Sequence, residues 1–224
     1  MWCVPKLDAE YVCRMEDVLR LYSARSEKDE PLVCLDERPV QLLDDTRPRA
    51  LAKPGRCPRA DYEYKRKGTA NVFAIVEPKL GIHLTHATPN RKAPNYVQAL
   101  RLIARRFPKA KRIHLVQDNL RSHSKNCCMQ VLGVNAGAKL WRRFKVHYTP
   151  KHGSWLNIAE TEISLWSREC LGSRRLGNLK ALDIETMAWN RRANDLRRTI
   201  TWNFNVKTAR QRFKIRVNNR APRD

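Results

Sequence analysis

The chain has 224 residues, enough for one well-packed core and too few for two full domains. A 42% content of hydrophobic residues excludes a disordered basic tail and indicates a folded protein. Lys and Arg number 45 against 22 Asp and Glu, and the formal net charge of +23 indicates a polyanionic partner, with a merely solvated basic surface as the alternative.

The first third of the chain is predicted to hold one helix, one buried strand and a long basic loop. Apolar residues repeat with helical spacing over residues 8–24, where Asp8 can act as the N-cap. Residues 32–37 are interpreted as a buried strand that ends in two acids, and residues 41–43 are expected to pair with it as a hairpin. Residues 44–69 carry three prolines, two glycines and eight Lys and Arg, a composition that predicts an irregular loop.

The rest of the chain alternates between strand and helix patterns. The predicted strands are 71–77, 82–87, 113–119 and 145–148. The predicted helices are 94–107, 122–132, 136–144, 154–172 and 179–198. Strands that come first and crossover helices that follow predict an α/β fold, in which a mixed sheet carries helices on both faces.

Three acids stand at positions that suit a site. Asp36 and Asp118 come at the carboxyl ends of apolar runs, where open α/β sheets bind their ligands. Glu160 lies on the flank of the apolar stripe of the predicted helix 154–172, with Glu162 on the other flank as the fallback choice. The spacing is equally compatible with a solvated Glu160, and either Asp taken alone could simply end its strand.

The chemistry of these acids depends on cations. Three carboxylates that meet at strand ends would repel one another unless cations lay between them, and hard divalent ions, Mg²⁺ first and Mn²⁺ second, are the natural occupants. Two such ions about 4 Å apart can activate an attacking oxygen and stabilise a leaving one. The basic charge of the chain would hold a phosphate backbone against these ions. We therefore predict metal-dependent cleavage of DNA, carried out by Asp36, Asp118 and Glu160.

The cysteines and the N-terminus indicate where the protein works. Seven cysteines without a C-x-x-C pair support neither a disulfide framework nor a zinc site, and they are typical of a reducing compartment. Charged residues at Lys6, Asp8 and Glu10 interrupt any signal-peptide pattern, and no stretch approaches a membrane span. We expect an intracellular protein without a membrane partner.

Six motifs spread over nearly the whole chain carry a family resemblance. They are Cys34-Leu35-Asp36-Glu37, Ala52-Lys53-Pro54-Gly55, Asp61-Tyr62-Glu63-Tyr64, Gly68-Thr69-Ala70-Asn71, Asp118-Asn119-x-x-x-His123 and the block from His147 through Tyr148-Thr149-Pro150-Lys151-His152-Gly153-Ser154-Trp155-Leu156-Asn157 to Glu160. Together they resemble the DDE catalytic domain of bacterial insertion-sequence transposases, in the insertion sequence 630 family of the mariner superfamily. The block from Tyr148 to Glu160 is the most specific of them.

The resemblance implies an RNase H-like fold, two Mg²⁺ ions with Mn²⁺ as a substitute, and cut-and-paste transposition at TA dinucleotides. The catalytic, metal-holding acids of the family map onto Asp36, Asp118 and Glu160. Three further motif positions are expected to support the acids or to face DNA: Asn119, His123 and Asn157. The candidate DNA-binding residues are Lys53, Lys65, Arg66, Lys67, Arg121, Lys151 and His152.

Two departures from the family affect the expected partners. Forty-one residues separate Asp118 from Glu160, more than is usual in the superfamily, and the extra length lies around residues 133–143. We expect a linker helix at 1–30, the catalytic domain at 31–199 and a basic tail at 200–224, with no helix-turn-helix module before them. A separate helix-turn-helix chain and a second copy of this chain are therefore candidate partners besides the DNA of element ends and target.

The leading hypothesis is a transposase domain that cleaves and joins DNA, located in the cytoplasm of a bacterium and associated with the nucleoid. One alternative is a truncated, catalytically idle module that binds DNA or a full-length transposase. The other is an RNase H-like nuclease without strand transfer. The intact set of acids favours chemistry over binding alone.

Overall fold

The computed structural model describes residues 7–215 except residues 26, 28, 49, 51, 58 and 60. The described strands are β1 (Leu32–Asp45), β2 (Tyr64–Glu77), β3 (Ile82–His83), β4 (His86–Thr88), β5 (Ile113–Gln117) and β6 (Phe144–Tyr148). The described α-helices are α1 (Ala9–Ser23), α2 (Ala93–Arg106), α3 (Lys125–Leu132), α4 (Val134–Trp141), α5 (Ala159–Trp166), α6 (Leu179–Asp195) and α7 (Val206–Arg212). The extra length between Asp118 and Glu160 forms α4.

The strands form one mixed sheet, as predicted. Its order is β3-β2-β1-β5-β6, with β4 also paired to β2. β1 runs antiparallel to β2 and parallel to β5, and β5 runs parallel to β6. The carboxyl ends of β5 and β6 therefore open on the same edge of the sheet, beside the point where β1 leaves β5.

Both faces of the sheet are covered by helices, because both sets of alternating side chains are apolar. On one face, Val33 and Leu35 pack with α2 and α3. On the other face, Leu32 and Cys34 pack with α1 and the segment around α7. The cores on the two faces bury residues 32–35 of β1, residues 70–77 of β2 and most of β5, and Asp118, just beyond the carboxyl end of β5, is partly exposed.

β1 is longer than predicted, and the hairpin expected between residues 32–37 and 41–43 is wrong. Residues 41–43 continue the same strand and pair with β2, where Gln41 faces Thr69 and Leu43 faces Arg66. Pro39 does not end the strand, because beyond β5 the outer part of β1 has a partner on one side only. We call residues 38–45 and 64–72 the hairpin arm. The loop at its tip covers residues 46–63, so the irregular loop predicted for 44–69 is shorter than expected.

The segment that carries Glu160 is not the single helix predicted for residues 154–172. A 3₁₀ turn at Ser154–Leu156 comes first, Asn157 is extended, α5 follows, and a π-helical turn at Ser167–Leu171 ends the segment. The side chain of Asn157 causes the break, since its Nδ2 donates to the carbonyl of Leu35 at 2.8 Å and its Oδ1 accepts from Ala159 N at 3.2 Å.

The two ends of the described chain pack against each other. Asp8 caps α1 by accepting from Tyr11 N at 2.8 Å, as predicted. In the region expected to be a basic tail, α7 buries Ala209 and pairs Arg210 with Glu16 of α1 through two hydrogen bonds of 2.7 and 2.9 Å. Residues 1–6 of the expected linker and 216–224 of the expected tail lie outside the described residues. None of the helices within residues 7–215 is long and apolar enough to cross a membrane.

Candidate active site

Asp36 lies where β1 passes the carboxyl end of β5, and it is electrostatically coupled to the other two predicted acids. The pKa of Asp36 is raised to about 7, mainly by burial. The backbone N–H of Glu37 lowers this pKa, and the nearby carboxylates of Glu37, Asp118 and Glu160 raise it. Asp118 is the first residue beyond β5, and Glu160 is in the first turn of α5. The structure therefore brings Asp36, Asp118 and Glu160 into one electronegative site at this edge of the sheet.

Asn157 attaches the start of α5 to β1. Its side chain is buried and bonds the carbonyl of Leu35, the residue immediately before Asp36. The hydroxyl of Tyr22 on α1 donates to the carbonyl of Leu156 at 2.6 Å and accepts from Ile158 N at 3.3 Å. These bonds hold the turn that precedes Glu160 against β1 and α1, so the position of Glu160 relative to Asp36 depends on them.

Glu162, the fallback choice for the third acid, points into the protein. Its carboxylate lies 2.6 Å from His83 Nδ1, and neither side chain is exposed. His83 Nε2 donates to the carbonyl of Arg198 at 3.0 Å, and burial raises the pKa of Glu162. Glu162 thus joins α5 to β3, while half-buried Glu160 is left at the open edge. The sequence offered no signal for His83, because its partner is 79 residues away.

His123 contacts Asp118 from the side of α2. Its Nδ1 is 2.5 Å from Asp118 Oδ1, and its ring stacks on Tyr96 with centroids 4.3 Å apart. The carbonyl of His123 accepts hydrogen bonds from Gln117 Nε2 at 3.3 Å and from the hydroxyl of Tyr148 at 3.0 Å. The ring is buried and held from several sides, next to Asp118.

Glu37 is a residue of the site that the sequence analysis missed. Its Oε2 lies 3.7 Å from His123 Nε2, and its Oε1 lies 3.7 Å from the guanidinium of Arg91. Because neighbouring residues of a strand face opposite sides, Glu37 points toward α2 and His123 while Asp36 points to the other face. The sequence does contain a signal for Glu37, because it directly follows Asp36 and forms a pair of adjacent acids with it.

A groove of about 690 Å³ runs beside Asp118, between α1 and the loops that follow β5 and β6. Its lining includes Tyr11, Arg14, Asp118, Asn119, Lys151 and His152. Three of these lining residues were predicted to support the acids or to face DNA, and all three are exposed: Asn119, Lys151 and His152. His152 adopts a left-handed backbone conformation with φ 61°. An exposed Arg121 lies in the same loop as Asn119, so four of the predicted supporting or DNA-binding residues surround this groove and the loop at its rim.

The remaining predicted DNA contacts lie on or beyond the hairpin arm. Lys65, Arg66 and Lys67 are exposed on β2, and Arg66 pairs with Leu43 of β1. Leu43 is seven residues beyond Asp36, or roughly 23 Å along the strand at about 3.3 Å per residue. Lys53 is in the tip loop, in a turn closed by its N–H bond to the carbonyl of Arg56 at 3.1 Å. The arm residues therefore form a second basic surface, separate from the groove.

Comparisons with known proteins agree with this geometry. A family model described as DDE superfamily endonuclease matches residues 31–183. No curated protein matches the chain in sequence. Among solved structures, the Mos1 mariner paired-end complex with Mn is similar with a TM-score of 0.56 at 16% identity, covering 96% of this chain and 63% of that chain.

Two other Mos1 structures are similar as well. The paired-end complex with Mg has a TM-score of 0.52 at 16% identity over 96% of this chain and 63% of that chain. The Mos1 strand transfer complex has a TM-score of 0.50 at 13% identity over 89% of this chain and 65% of that chain. This chain thus spans less than two thirds of the Mos1 chains, and the likeness confirms the predicted α/β, RNase H-like fold.

Proposed function

The chain belongs to the family of DDE superfamily endonucleases, and on that premise we propose that it is the catalytic domain of a transposase, which cleaves DNA and joins the ends of a mobile element to a target. The observation that carries the proposal is the nearness of Asp118 and Glu160 to Asp36 at one edge of the sheet, where their charges help to raise the pKa of Asp36. The three acids come from three separate elements, and Asp118 also lines the exposed groove that holds Arg14, Lys151 and His152.

The residues at this edge fit divalent cations. Asp36 is held in a buried position next to three other carboxylates, which without a cation favours its protonated form near neutral pH. Carboxylate oxygens are the ligands that Mg²⁺ and Mn²⁺ prefer. Mos1 paired-end complexes contain Mn and Mg, as the names of those structures state. We assign the metal ligands to Asp36, Asp118 and Glu160 and propose two ions.

Each part of the site has a distinct role in this mechanism. When bound, the ions supply activation of the attacking oxygen and stabilisation of the leaving oxygen. Asp36, Asp118 and Glu160 would hold them, and Asn157 keeps Glu160 in place through its bond to β1. Asn119, Lys151 and His152 bind the DNA strand at the groove. Lys53, Lys65, Arg66 and Lys67 bind a further part of the duplex along the arm, and Arg121 does so beside the groove.

The partners follow from the same proposal. DNA of the element ends and a TA-containing target are the substrates that the family resemblance implies. A second copy of this chain and a separate helix-turn-helix chain are the proposed protein partners, because phosphate contacts alone supply little sequence information.

One experiment separates the candidate functions. The protein is incubated with labelled linear DNA in Mg²⁺, Mn²⁺ or EDTA, and cleaved and joined products are separated on a gel. Joined products that require metal support the transposase, whereas cleavage without joining indicates a nuclease. DNA binding without either product indicates an idle module.

We predict that Asp118→Asn abolishes cleavage while DNA affinity stays unchanged or increases. The substitution removes a metal ligand and also a negative charge near the phosphates. Cleavage assays and DNA titrations on the same preparation test this, with Asp195→Asn, at the exposed end of α6, as a control that should cleave normally. Retained cleavage in Asp118→Asn would overturn the assignment, and a parallel loss of binding would indicate misfolding.

A further inference from the structure

A cluster of three donors lies beside the three proposed metal ligands, on the α2 side of Asp118. Glu37, Asp118 and His123 each offer one ligand atom, and the three atoms lie within 4.8 Å of one another. The donors come from β1, from the end of β5 and from the loop before α3. Three separate elements therefore converge on one point.

The polar atoms of this cluster lack the partners that burial usually demands. The side chains of His123 and Glu37 are 1% and 3% exposed. Within the described residues, no aligned hydrogen bond is made by Glu37 Oε2 or by either ring nitrogen of His123. His123 Nδ1 is nevertheless in close contact with Asp118. Buried polar groups without a hydrogen bond are rare and call for an explanation, such as an ion.

The histidine is also held rigidly, as a metal ligand is. Tyr96 stacks on one face of the ring, and the hydroxyl of Tyr96 donates to Gln117 Oε1 at 2.9 Å. Gln117 and Tyr148 fix the backbone carbonyl of His123. Arg91 contacts the outer oxygen of Glu37, which leaves Oε2 directed toward the ring.

We propose that Glu37, Asp118 and His123 form a binding site for a transition-metal ion, with Mn²⁺ as the expected occupant. Asp118 is shared between this site and the proposed catalytic set, and to that extent the inference rests on the proposed function. The ion pairs and hydrogen bonds of Asp118 within the described residues involve Oδ1. The carboxylate of Asp118 can therefore bind the ion of this cluster through Oδ1, while its Oδ2 contacts the ions proposed for Asp36 and Glu160.

The donor set determines the class of metal. An imidazole nitrogen favours transition-metal ions over Mg²⁺, which prefers oxygen ligands and water. Mn²⁺ also takes carboxylate oxygens, so it suits a mixed set of one nitrogen and two carboxylates. Two donors on one ion, with bonds of about 2.1 Å, lie roughly 3 to 4 Å apart. Ion binding therefore requires His123 Nδ1 and Asp118 Oδ1, which are 2.5 Å apart, to separate, and donor atoms that are up to 4.8 Å apart to approach each other by about 1 Å. The nitrogen ligand distinguishes this site from the oxygen-only set of Asp36, Asp118 and Glu160.

The test uses the full chain loaded with one equivalent of Mn²⁺ and pulsed electron paramagnetic resonance, which detects ¹⁴N coupling from a directly bound imidazole. The combined variant Asp36→Asn with Glu160→Gln removes the oxygen-only set and should still bind Mn²⁺ with ¹⁴N coupling. Adding His123→Asn should abolish the coupling. His152→Asn is the matched control, because it removes an exposed histidine beside the same groove and should leave the coupling unchanged.

A second variant keeps the test decisive if His123→Asn does not fold. Glu37→Gln retains the histidine and should weaken Mn²⁺ binding by roughly 10- to 100-fold, the range seen when groups around a metal are altered. Absence of ¹⁴N coupling in the unaltered chain, or its loss in His152→Asn, would overturn the site. Failure of the proposed function looks different, since the coupling would then be present in a chain that cleaves no DNA.

Discussion

Two carboxyl groups of this chain, those of Asp36 and Glu77, have pKa values of about 7, and in both cases burial is the main cause. They lie at opposite edges of the sheet and differ in their neighbours. Further carboxylates raise the pKa of Asp36, whereas the N–H of Leu80 and the charge of Lys79 act against burial at Glu77. A raised pKa marks a candidate site only together with converging acids, and that combination is found at Asp36.

Glu77 is predicted to lower the stability of the folded chain as the pH rises. Its pKa is about 7 in the fold against an ordinary value of 4.5, so between these two values the folded state binds more protons than the unfolded state. The free energy of unfolding should therefore fall from pH 4.5 to 7, by at most about 3 kcal/mol for this group. Glu77→Gln should remove that part of the slope, because the amide can still accept the Leu80 N–H.

Urea unfolding at several pH values between about 4.5 and 8 measures the effect. Asp36 also lowers the free energy of unfolding as the pH rises, and this effect remains in Glu77→Gln. The contribution of Glu77 is therefore the difference between the pH slopes of the original chain and of Glu77→Gln. Identical slopes for the original chain and Glu77→Gln would show that Glu77 is not held in its buried position.

At the scale of elements, α5 separates a buried acid from the proposed catalytic acid by two residues, little more than half a turn. Glu162 is completely buried against His83, and Glu160 is half-buried at the open edge. Removing one partner of a buried pair typically costs about 3–5 kcal/mol, whereas partly exposed positions cost about 1 kcal/mol or less. We predict that Glu162→Ala lowers the free energy of unfolding by about 3–5 kcal/mol.

The matched variant Glu160→Ala should keep nearly all of the stability and lose DNA cleavage, because it removes a proposed metal ligand. Denaturant unfolding and the gel assay on both variants test the pair. A stable Glu162→Ala together with an unfolded Glu160→Ala would reverse the roles assigned to the two acids.

Arg175 contacts both sides of the hairpin arm where the tip loop begins and ends. Arg175 donates to Asp45 Oδ1 at 2.8 Å and to the carbonyls of Asp61, Tyr62 and Glu63 at 2.8, 3.2 and 2.7 Å. Its guanidinium also lies 5.7 Å from the ring centroid of Tyr64. The planar guanidinium of Arg175 contacts five groups on both sides of the arm, and the single ammonium group of a lysine could not make all of these contacts.

Arg175→Ala is predicted to release the tip loop of residues 46–63 while the sheet stays folded. Limited trypsin digestion should cut after Lys53 and Arg56 at least about tenfold faster, since each bond to a charged group contributes about 1.5 kcal/mol or more. Arg174→Ala removes a neighbouring arginine that pairs with exposed Glu185 at 2.5 Å, and it should leave the cutting rate unchanged. Equal rates in both variants would show that the loop does not depend on Arg175.

At the scale of the whole molecule, the net charge of +23 is spread over the groove rim, the arm and the outer face of α2. The basic residues of the arm lie near Leu43, roughly 23 Å along β1 from Asp36, and they can contact another stretch of one DNA duplex than Arg121 and Lys151 at the groove. Phosphate contacts supply affinity and register, and they carry little sequence information. We therefore predict strong, salt-sensitive binding that is nearly indifferent to DNA sequence.

If the chain neutralises roughly six phosphates, affinity should fall about a thousandfold between about 50 and 200 mM salt. Titrations of random DNA and of candidate inverted-repeat DNA at several salt concentrations measure both properties. A flat salt response would contradict the electrostatic account. A preference above about a hundredfold for one sequence would reveal an element that reads bases.

The sequence by itself determined the element types and the three proposed acids, because these depend on local patterns. Apolar runs that end in Asp36 and Asp118 indicate buried strand segments, and the parallel pairing of these segments brings both acids to the same side of the sheet, although β1 itself continues to Asp45. Asp8 follows the N-cap rule without help from the rest of the fold. The helical stripe that buries Trp166 likewise placed Glu160 on its flank.

Only the tertiary structure decided where these patterns stop and which polar residues find buried partners. β1 continues through Pro39 because its outer part has one neighbouring strand, and the helix before Glu160 breaks because Asn157 bonds a strand 122 residues away. The contacts of Glu162 with His83 and of Glu37 with His123 also join residues far apart in the chain. Such pairings arise from packing between elements, which local periodicity does not encode.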